Sequence, residues 1–236
     1  MNFLFAWRYF KAKKSTNAIN VIAWISITAI IIGTAALILV LSVFNGFEGL
    51  VKSLYSSFYP AIKVSAATGK SIVISDQQMH RLKLVTGIKA FSLVAEEKSV
   101  LQFGDYQSVV FLKGVDENYP YVTGVKEHMW KGQFKTRTEE GIALLVLGAG
   151  VENAIGIEAD RNIYPLKVYL PRKTGSEQLD PLNDISVDTI NTAGSFVIQQ
   201  EIDNKYALTD LAFVKTMLGY TDDQYSAIEI AVTDAD

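Results

Sequence analysis

Between residues 15 and 47 the chain carries no charge, and from 21 to 44 its apolar character is almost continuous. A hydrocarbon core about 30 Å thick needs roughly 20 apolar residues at helical rise, so this run predicts a membrane-spanning helix with residues to spare. Leu50, Leu54 and Phe58 follow at steps of four and continue the helix outward until Tyr59-Pro60 stops it. The span therefore leads rigidly, over 43–58, into whatever lies beyond.

After Pro60 the period changes. Short alternating or wholly apolar runs predict strands at 61–65, 72–74, 91–102, 106–114, 142–147, 163–170, 185–190, 196–202 and 226–232. Gly104-Asp105 joins two of them as a hairpin. Glu96, Glu97 and Lys98 interrupt the third run and predict an edge strand or a solvent face. Helices are predicted from Ser75-Asp76 to about residue 85, from the Gly148-Ala149-Gly150 turn to Ile155, and over 208–218, capped by Thr209 or Asp210 and ended by Gly219. Residues 116–138 read as loop, and 171–184 as a protruding hairpin tip. The chain closes on Thr233-Asp234-Ala235-Asp236, the residue types of a helix N-cap.

Charge gives the span a direction. The net charge is −3, but Arg8, Lys11, Lys13 and Lys14 give the first twenty residues +4, leaving −7 on the remainder. The positive-inside tendency then puts the N-terminus in the cytoplasm and Gly46 onward outside. A cleavable signal peptide shares this basic-then-apolar pattern, but its apolar core is about 7–15 residues long and ends at a small-residue cleavage site, whereas this run continues to Asn45-Gly46. Trp7, with Phe3 and Phe10 at helical spacing, and the basic Arg8, Lys11, Lys13 and Lys14 mark a membrane-interface segment that meets anionic lipid, or else a plain anchor flank. Within the span, Ser26, Ala29, Gly33 and Ala36 form a small-residue stripe on which another helix can pack closely. The acidic body has no basic run, which argues against nucleic acid as a partner.

The readings that would make this chain an enzyme fail one by one. With no cysteine, thiolate and Cys-zinc chemistry is absent. His80 and His128, the two histidines, have no second histidine at a metal-binding spacing and read as surface residues. Gly69-Lys70-Ser71 ends like a phosphate-binding loop, but Val64 stands where the first glycine must be. The turn at Gly148-Ala149-Gly150 follows a strand as a dinucleotide fingerprint does, yet Asn153 replaces the third glycine and no acid stands near residue 168. No Gly-x-Ser-x-Gly elbow occurs. No catalytic residue, metal or cofactor is expected.

Several stretches carry a family resemblance. Phe5-Ala6-Trp7-Arg8-Tyr9, Ala23-Trp24-Ile25-Ser26, Gly33-Thr34-Ala35-Ala36-Leu37 and Leu41-Ser42-Val43-Phe44-Asn45-Gly46-Phe47-Glu48 resemble the N-terminus of lipoprotein-releasing permeases of the LolC/LolE type. Tyr59-Pro60, Leu112-Lys113-Gly114-Val115-Asp116 and Val146-Leu147-Gly148 are similar to that family's outer domain. The resemblance, and the wider MacB-like and FtsX-like superfamily, imply a membrane-anchored α+β protein: one N-terminal transmembrane helix, then a mixed βαβ porter-like extracytoplasmic domain with a strand-rich insertion. Of the four spans implied, this chain holds the first, so it corresponds to the N-terminal portion of such a permease. The division expected is a basic cytoplasmic segment over 1–17, the span over 18–46, and a periplasmic domain over 47–236, whose porter part is 61–102 with 196–236 and whose insertion is 103–195. The implied partners are a cytoplasmic ABC ATPase subunit, a second permease subunit, alike or different, lipoprotein cargo and a periplasmic lipoprotein chaperone. For the chaperone, Pro171, Gly175, Leu179 and Pro181 are the candidate contacts. A single-span protein with a ligand-sensing or enzymatic outer domain is the alternative from another class, and a MacB-like or FtsX-like efflux or mechanotransmitting permease the nearer one.

Overall fold

The computed structural model describes residues 4–5, 7–8, 17–161, 165–172 and 184–233. The chain divides into two compact units, Met1–Lys52 and Ser53–Asp236. The first is dominated by α1 (Asn17–Ser56), a single helix of 40 residues, about 60 Å long at helical rise. Over Asn20–Ser56 it is, among the described residues, the one helix long and apolar enough to cross a membrane. Its apolar side chains are bare, Ile38 and Val40 being 67% and 66% exposed. The hydroxyls of Ser26, Thr28 and Thr34 donate to the carbonyls of Ile22, Trp24 and Ile30 at 2.8–2.9 Å. These three hydroxyls are thereby satisfied within the helix, which suits a lipid-facing segment.

The second unit begins with β1 (Ile62–Ser65), β2 (Ile72–Val73), α2 (Asp76–Lys83), β3 (Ile88–Phe103) and β4 (Tyr106–Val115). It continues with α3 (Tyr119–Val122), a 3-10 turn (Val125–His128), β5 (Met129–Gly132), β6 (Leu144–Gly148), α4 (Ala149–Ile155) and β7 (Leu166–Pro171). It ends with β8 (Ile185–Phe196), α5 (Gln200–Asp203), β9 (Tyr206–Asp210), α6 (Leu211–Leu218), β10 (Gln224–Tyr225) and β11 (Ala227–Val232). Nine strands share one mixed sheet in the order β1-β11-β3-β4-β9-β6-β8-β5, with β7 bridging β3 and β8. Because β7 pairs with both, the ladder β3-β4-β9-β6-β8-β7 returns to its start as a closed ring of strands. The ring strands bury alternate side chains, as a period of two demands, with Leu101, Leu112, Leu145, Leu147 and Val168 all fully covered. The helices α4 and α6 add Val151, Ile155 and Val214 to the same core. At Gly114 a Cβ would stand 2.8 Å from Cβ of Val214, so the missing side chain is what lets α6 lie against β4.

Several elements match their expectation closely. The Gly104-Asp105 hairpin forms with Phe103 opposite Tyr106, Ser75 caps α2 in a capping box with Gln78, and Gly219 ends α6 in the left-handed conformation. Others need correction. β3 pairs with β4 along Val94–Phe103, with β11 over Ile88–Val94 and with β7 over Val100–Gln102, so that Glu96-Glu97-Lys98 is paired with β4 alone, an edge position within an otherwise flanked strand. Lys98 is exposed and Glu97 meets Lys70 at the surface, whereas Glu96 stands opposite Lys113 and belongs to an internal ion pair, because a carboxylate with a buried ammonium facing it needs no solvent. The predicted strand over 196–202 is the end of β8 followed by α5, where Asp203 folds back to accept the Ile198 N–H at 2.9 Å. The predicted helix over 208–218 starts only at Leu211, since Tyr206–Asp210 runs parallel to β4 as β9 and Asp210 then caps α6 through the Ala212 N–H. The expected loop over 116–138 holds α3, the 3-10 turn and β5.

Candidate functional site

The stripe residues Ser26, Ala29, Gly33 and Ala36 are exposed along α1, and a Cβ built on Gly33 meets nothing within 4 Å. Trp7 and Arg8 are helical and exposed, while Lys11, Lys13 and Lys14 lie outside the described residues. Pro171 closes β7 opposite Ile185; Gly175, Leu179 and Pro181 lie outside the described residues.

What the fold does bring together is a set of residues around the chain just after α1. Ser57 and Phe58 are 7% and 0% exposed. The backbone tightens there, with Phe58 N–H and Tyr59 N–H both donating to the Tyr55 carbonyl, and this turn swings Phe58 into the domain. Its ring lies 4.5 Å from that of Tyr206 and 6.1 Å from that of Phe196, within a core that also includes Val94, Val115 and Leu208. Ser57 is held on the neighbouring side. Its hydroxyl donates to the Ser53 carbonyl at 2.8 Å, His128 Nε2 approaches it to 3.5 Å, and His128 Nδ1 lies 2.8 Å from the Gly124 carbonyl, to which it donates. A Cβ on Gly124 would stand 3.3 Å from Ser57 Cα, so the bare glycine admits the chain.

Against Phe58 lies Lys113, whose side chain is 2% exposed. Its ammonium sits 5.1 Å from the Phe58 ring centroid and 5.0 Å from that of Tyr119, and donates to Tyr119 Oη at 3.3 Å. Two carboxylates share it, Glu229 Oε1 at 2.7 Å and Glu96 Oε2 at 3.8 Å. Lys63, at the rim, lies 3.6 Å from Glu96 and 3.9 Å from Glu229. Register explains the meeting: Glu229 of β11 stands opposite Ser92 of β3, and Lys113 of β4 opposite Glu96, so both long side chains rise from one face of the sheet and converge over β3. Two ammoniums and two carboxylates leave the group neutral, which is how charge persists in an apolar core.

Burial acts to lower the pKa of Lys113, but the Tyr119 oxygen and the carboxylates of Glu229 and Glu96 outweigh it and raise the pKa above its ordinary value, so the residue is a cation. Burial pushes the Tyr119 phenol up to about 12 and raises Tyr206 as well. These groups are fixed charges and neutral phenols, not proton donors for a reaction. Composition had left a trace of this cluster, a lone Lys113 and a lone Glu229 each inside an apolar strand, but nothing in sequence spacing joined them. His128, read as a surface residue, is half-buried beside Ser57.

A cleft of about 710 Å³ opens beside the start of α6. Its acids Asp116, Glu117 and Asp210 are matched by Lys135, Arg137 and Lys215; Arg137 already pairs with Asp210 at 2.9 Å, and Lys215 donates to the Asp222 carbonyl. It offers no net field for an ion. Among the described residues no group of three or more His, Cys, Asp or Glu could hold a metal ion.

Residues 23–168 match the family model described as the MacB-like periplasmic core domain. The lipoprotein-releasing system transmembrane protein LolE of Haemophilus influenzae is 27% identical, over 98% of this chain and 55% of LolE. The chain thus spans about half the length of that curated relative. Among solved structures, the periplasmic region of MacB from Actinobacillus actinomycetemcomitans is similar with a TM-score of 0.49 at 13% identity, covering 74% of this chain and 75% of that one. The extracellular domain of the noncanonic ABC-type transporter YknZ from Gram-positive bacteria has a TM-score of 0.47 at 15% identity, covering 74% and 86%.

Proposed function

The chain belongs to the family of MacB-like periplasmic core domains, and we propose that it forms the N-terminal part of a transmembrane permease subunit in an ABC-type complex that releases lipoproteins from the inner membrane. The observation that carries this is the similarity to LolE along almost the entire chain, span and outer domain together. In this reading residues 1–17 are cytoplasmic, 18–46 cross the membrane and 47–236 are periplasmic, with ATP hydrolysed by a separate cytoplasmic subunit. The permease is not itself an enzyme. The stripe from Ser26 to Ala36 packs on other spans, of this subunit or a second one, and the segment that includes Pro171, Gly175, Leu179 and Pro181 meets the periplasmic chaperone.

Family membership by itself also suits a MacB-like or FtsX-like permease acting on other cargo, and the deciding experiment is a choice of cargo. The complete permease, reconstituted with its ATPase in proteoliposomes, is expected to hydrolyse ATP faster with an acylated lipoprotein than with its unacylated form, and to hand the acylated form to a soluble chaperone. Equal stimulation by both forms, with no transfer, would favour the efflux or mechanotransmitting reading.

A further inference from the structure

The four charges next to Phe58 admit two complementary pairings. In the one seen, Lys113 holds Glu229 at 2.7 Å while Lys63 is nearer Glu96, at 3.6 Å, than Glu229, at 3.9 Å. In the other, Lys113 would hold Glu96, now 3.8 Å away, and Lys63 would take Glu229, neither of whose oxygens makes a hydrogen bond of good geometry, its 2.7 Å contact with Lys113 being an ion pair alone. Both arrangements are neutral and use the same buried groups, so the exchange carries no charge into or out of the core and needs a shift of the ammonium on the order of 1 Å. Buried ion pairs of opposed choice are suited to two discrete states, because packed cores switch between arrangements and do not deform continuously. Lys63 is 44% exposed and has the freedom to follow whichever carboxylate Lys113 leaves. What the exchange moves is also fixed by geometry. The ammonium rests almost equally on the rings of Phe58 and Tyr119, and a desolvated cation is held to a ring by the ring's quadrupole, so the ring and the ammonium move together.

We propose that Lys113 is a positioning residue with two seats, on Glu229 and on Glu96, and that its seat sets the placement of Phe58 and with it the outer end of α1. This rests on the permease reading only for its purpose, since the two seats are a property of the fold. A merely structural cluster would have one arrangement, and Glu96 could then be neutralised without consequence for Phe58.

The test places 4-fluorophenylalanine at position 58 of the whole chain in lipid nanodiscs and follows its fluorine resonance. Two exchanging resonances are expected in the wild type. Glu96→Gln, which leaves the 2.7 Å pair in place, should collapse them onto one, and Glu229→Gln should favour the other. A single resonance that neither substitution moves overturns the proposal, whatever the protein transports. Because Glu229→Gln risks unfolding, Lys113→Met with Glu229→Leu serves as a second probe, and it too should give one resonance in a folded chain; two resonances there would also overturn it. In the complete complex Glu96→Gln is expected to lower cargo-dependent ATP turnover about tenfold. Absence of cargo-dependent turnover in the wild type would instead count against the permease reading, leaving the resonance result to judge the two seats.

Discussion

At Lys113 the cost of charge in a core is met by a single partner at close range, and the two are useful to separate by mutation. Lys113→Met leaves the Glu229 carboxylate, itself 1% exposed, with only the rim ammonium of Lys63 at 3.9 Å, and is expected to lower stability by about 3 kcal/mol. Adding Glu229→Leu should return most of that, because a hydrophobic pair of similar volume commonly replaces a buried ion pair without loss. Urea unfolding of the whole chain in detergent checks both, and equal stability of the single and double variants would refute the account. The same residues set an alkaline limit. The unfolded chain releases the Tyr119 proton near the ordinary value of 10.0, whereas the folded chain keeps it to about 12. Between those values the unfolded state binds fewer protons, so stability falls as pH rises. Lys113, raised above 10.5, contributes stability that is present below that value and lost above it, in the same direction. The urea midpoint should therefore hold level up to about pH 10 and drop by pH 12, less steeply in Tyr119→Phe. At this scale the sequence was half legible. A lone charge in the middle of an apolar strand is a mark of burial with a partner, but Lys113 and Glu229 meet only because β11 and β4 flank β3, and no local pattern encodes that adjacency.

Among elements, α1 was the most legible, since uncharged length at helical period has few other solutions in water or lipid. Its end was legible as well, because Tyr59-Pro60 forbids continuation. What the period did not reveal was that Phe58, counted as the last residue of an apolar helical stripe, leaves the helix and enters the core of the domain. Phe58→Ala is expected to cost about 3–5 kcal/mol, the range for truncating a buried aromatic, whereas Phe47→Ala, 61% exposed, should change the unfolding of the domain little; comparable losses would contradict the placement. On the same helix, Gly33→Ile fills a space left open in the isolated chain and should reduce co-purification of the assembled permease. Undiminished recovery would remove the stripe from consideration. β9 owes its state to neighbours far along the chain, which override the local helical pattern of residues 208–210.

For the molecule as a whole, direction across the membrane is the first thing to establish. Cysteines at Ser15 and Ser65 are expected to react from opposite sides of the intact inner membrane, and labelling of the Ser15 position from the periplasm would reverse the topology. Strand and helix content was legible along the chain, whereas the closure of β3, β4, β9, β6, β8 and β7 into a ring was not, since it depends on β7 reaching two partners that no turn connects. That closure determines how the domain breathes. A strand hydrogen-bonded on both sides cannot fray from an edge, so its amides exchange with solvent only when the whole ring opens. β1 and β5, at the ends of the sheet order, keep a free side and should lose protection early. In deuterated buffer the last protons to leave should be those of β9, which is held between β4 and β6, and they should leave together, at a rate that reports the global stability of the outer unit.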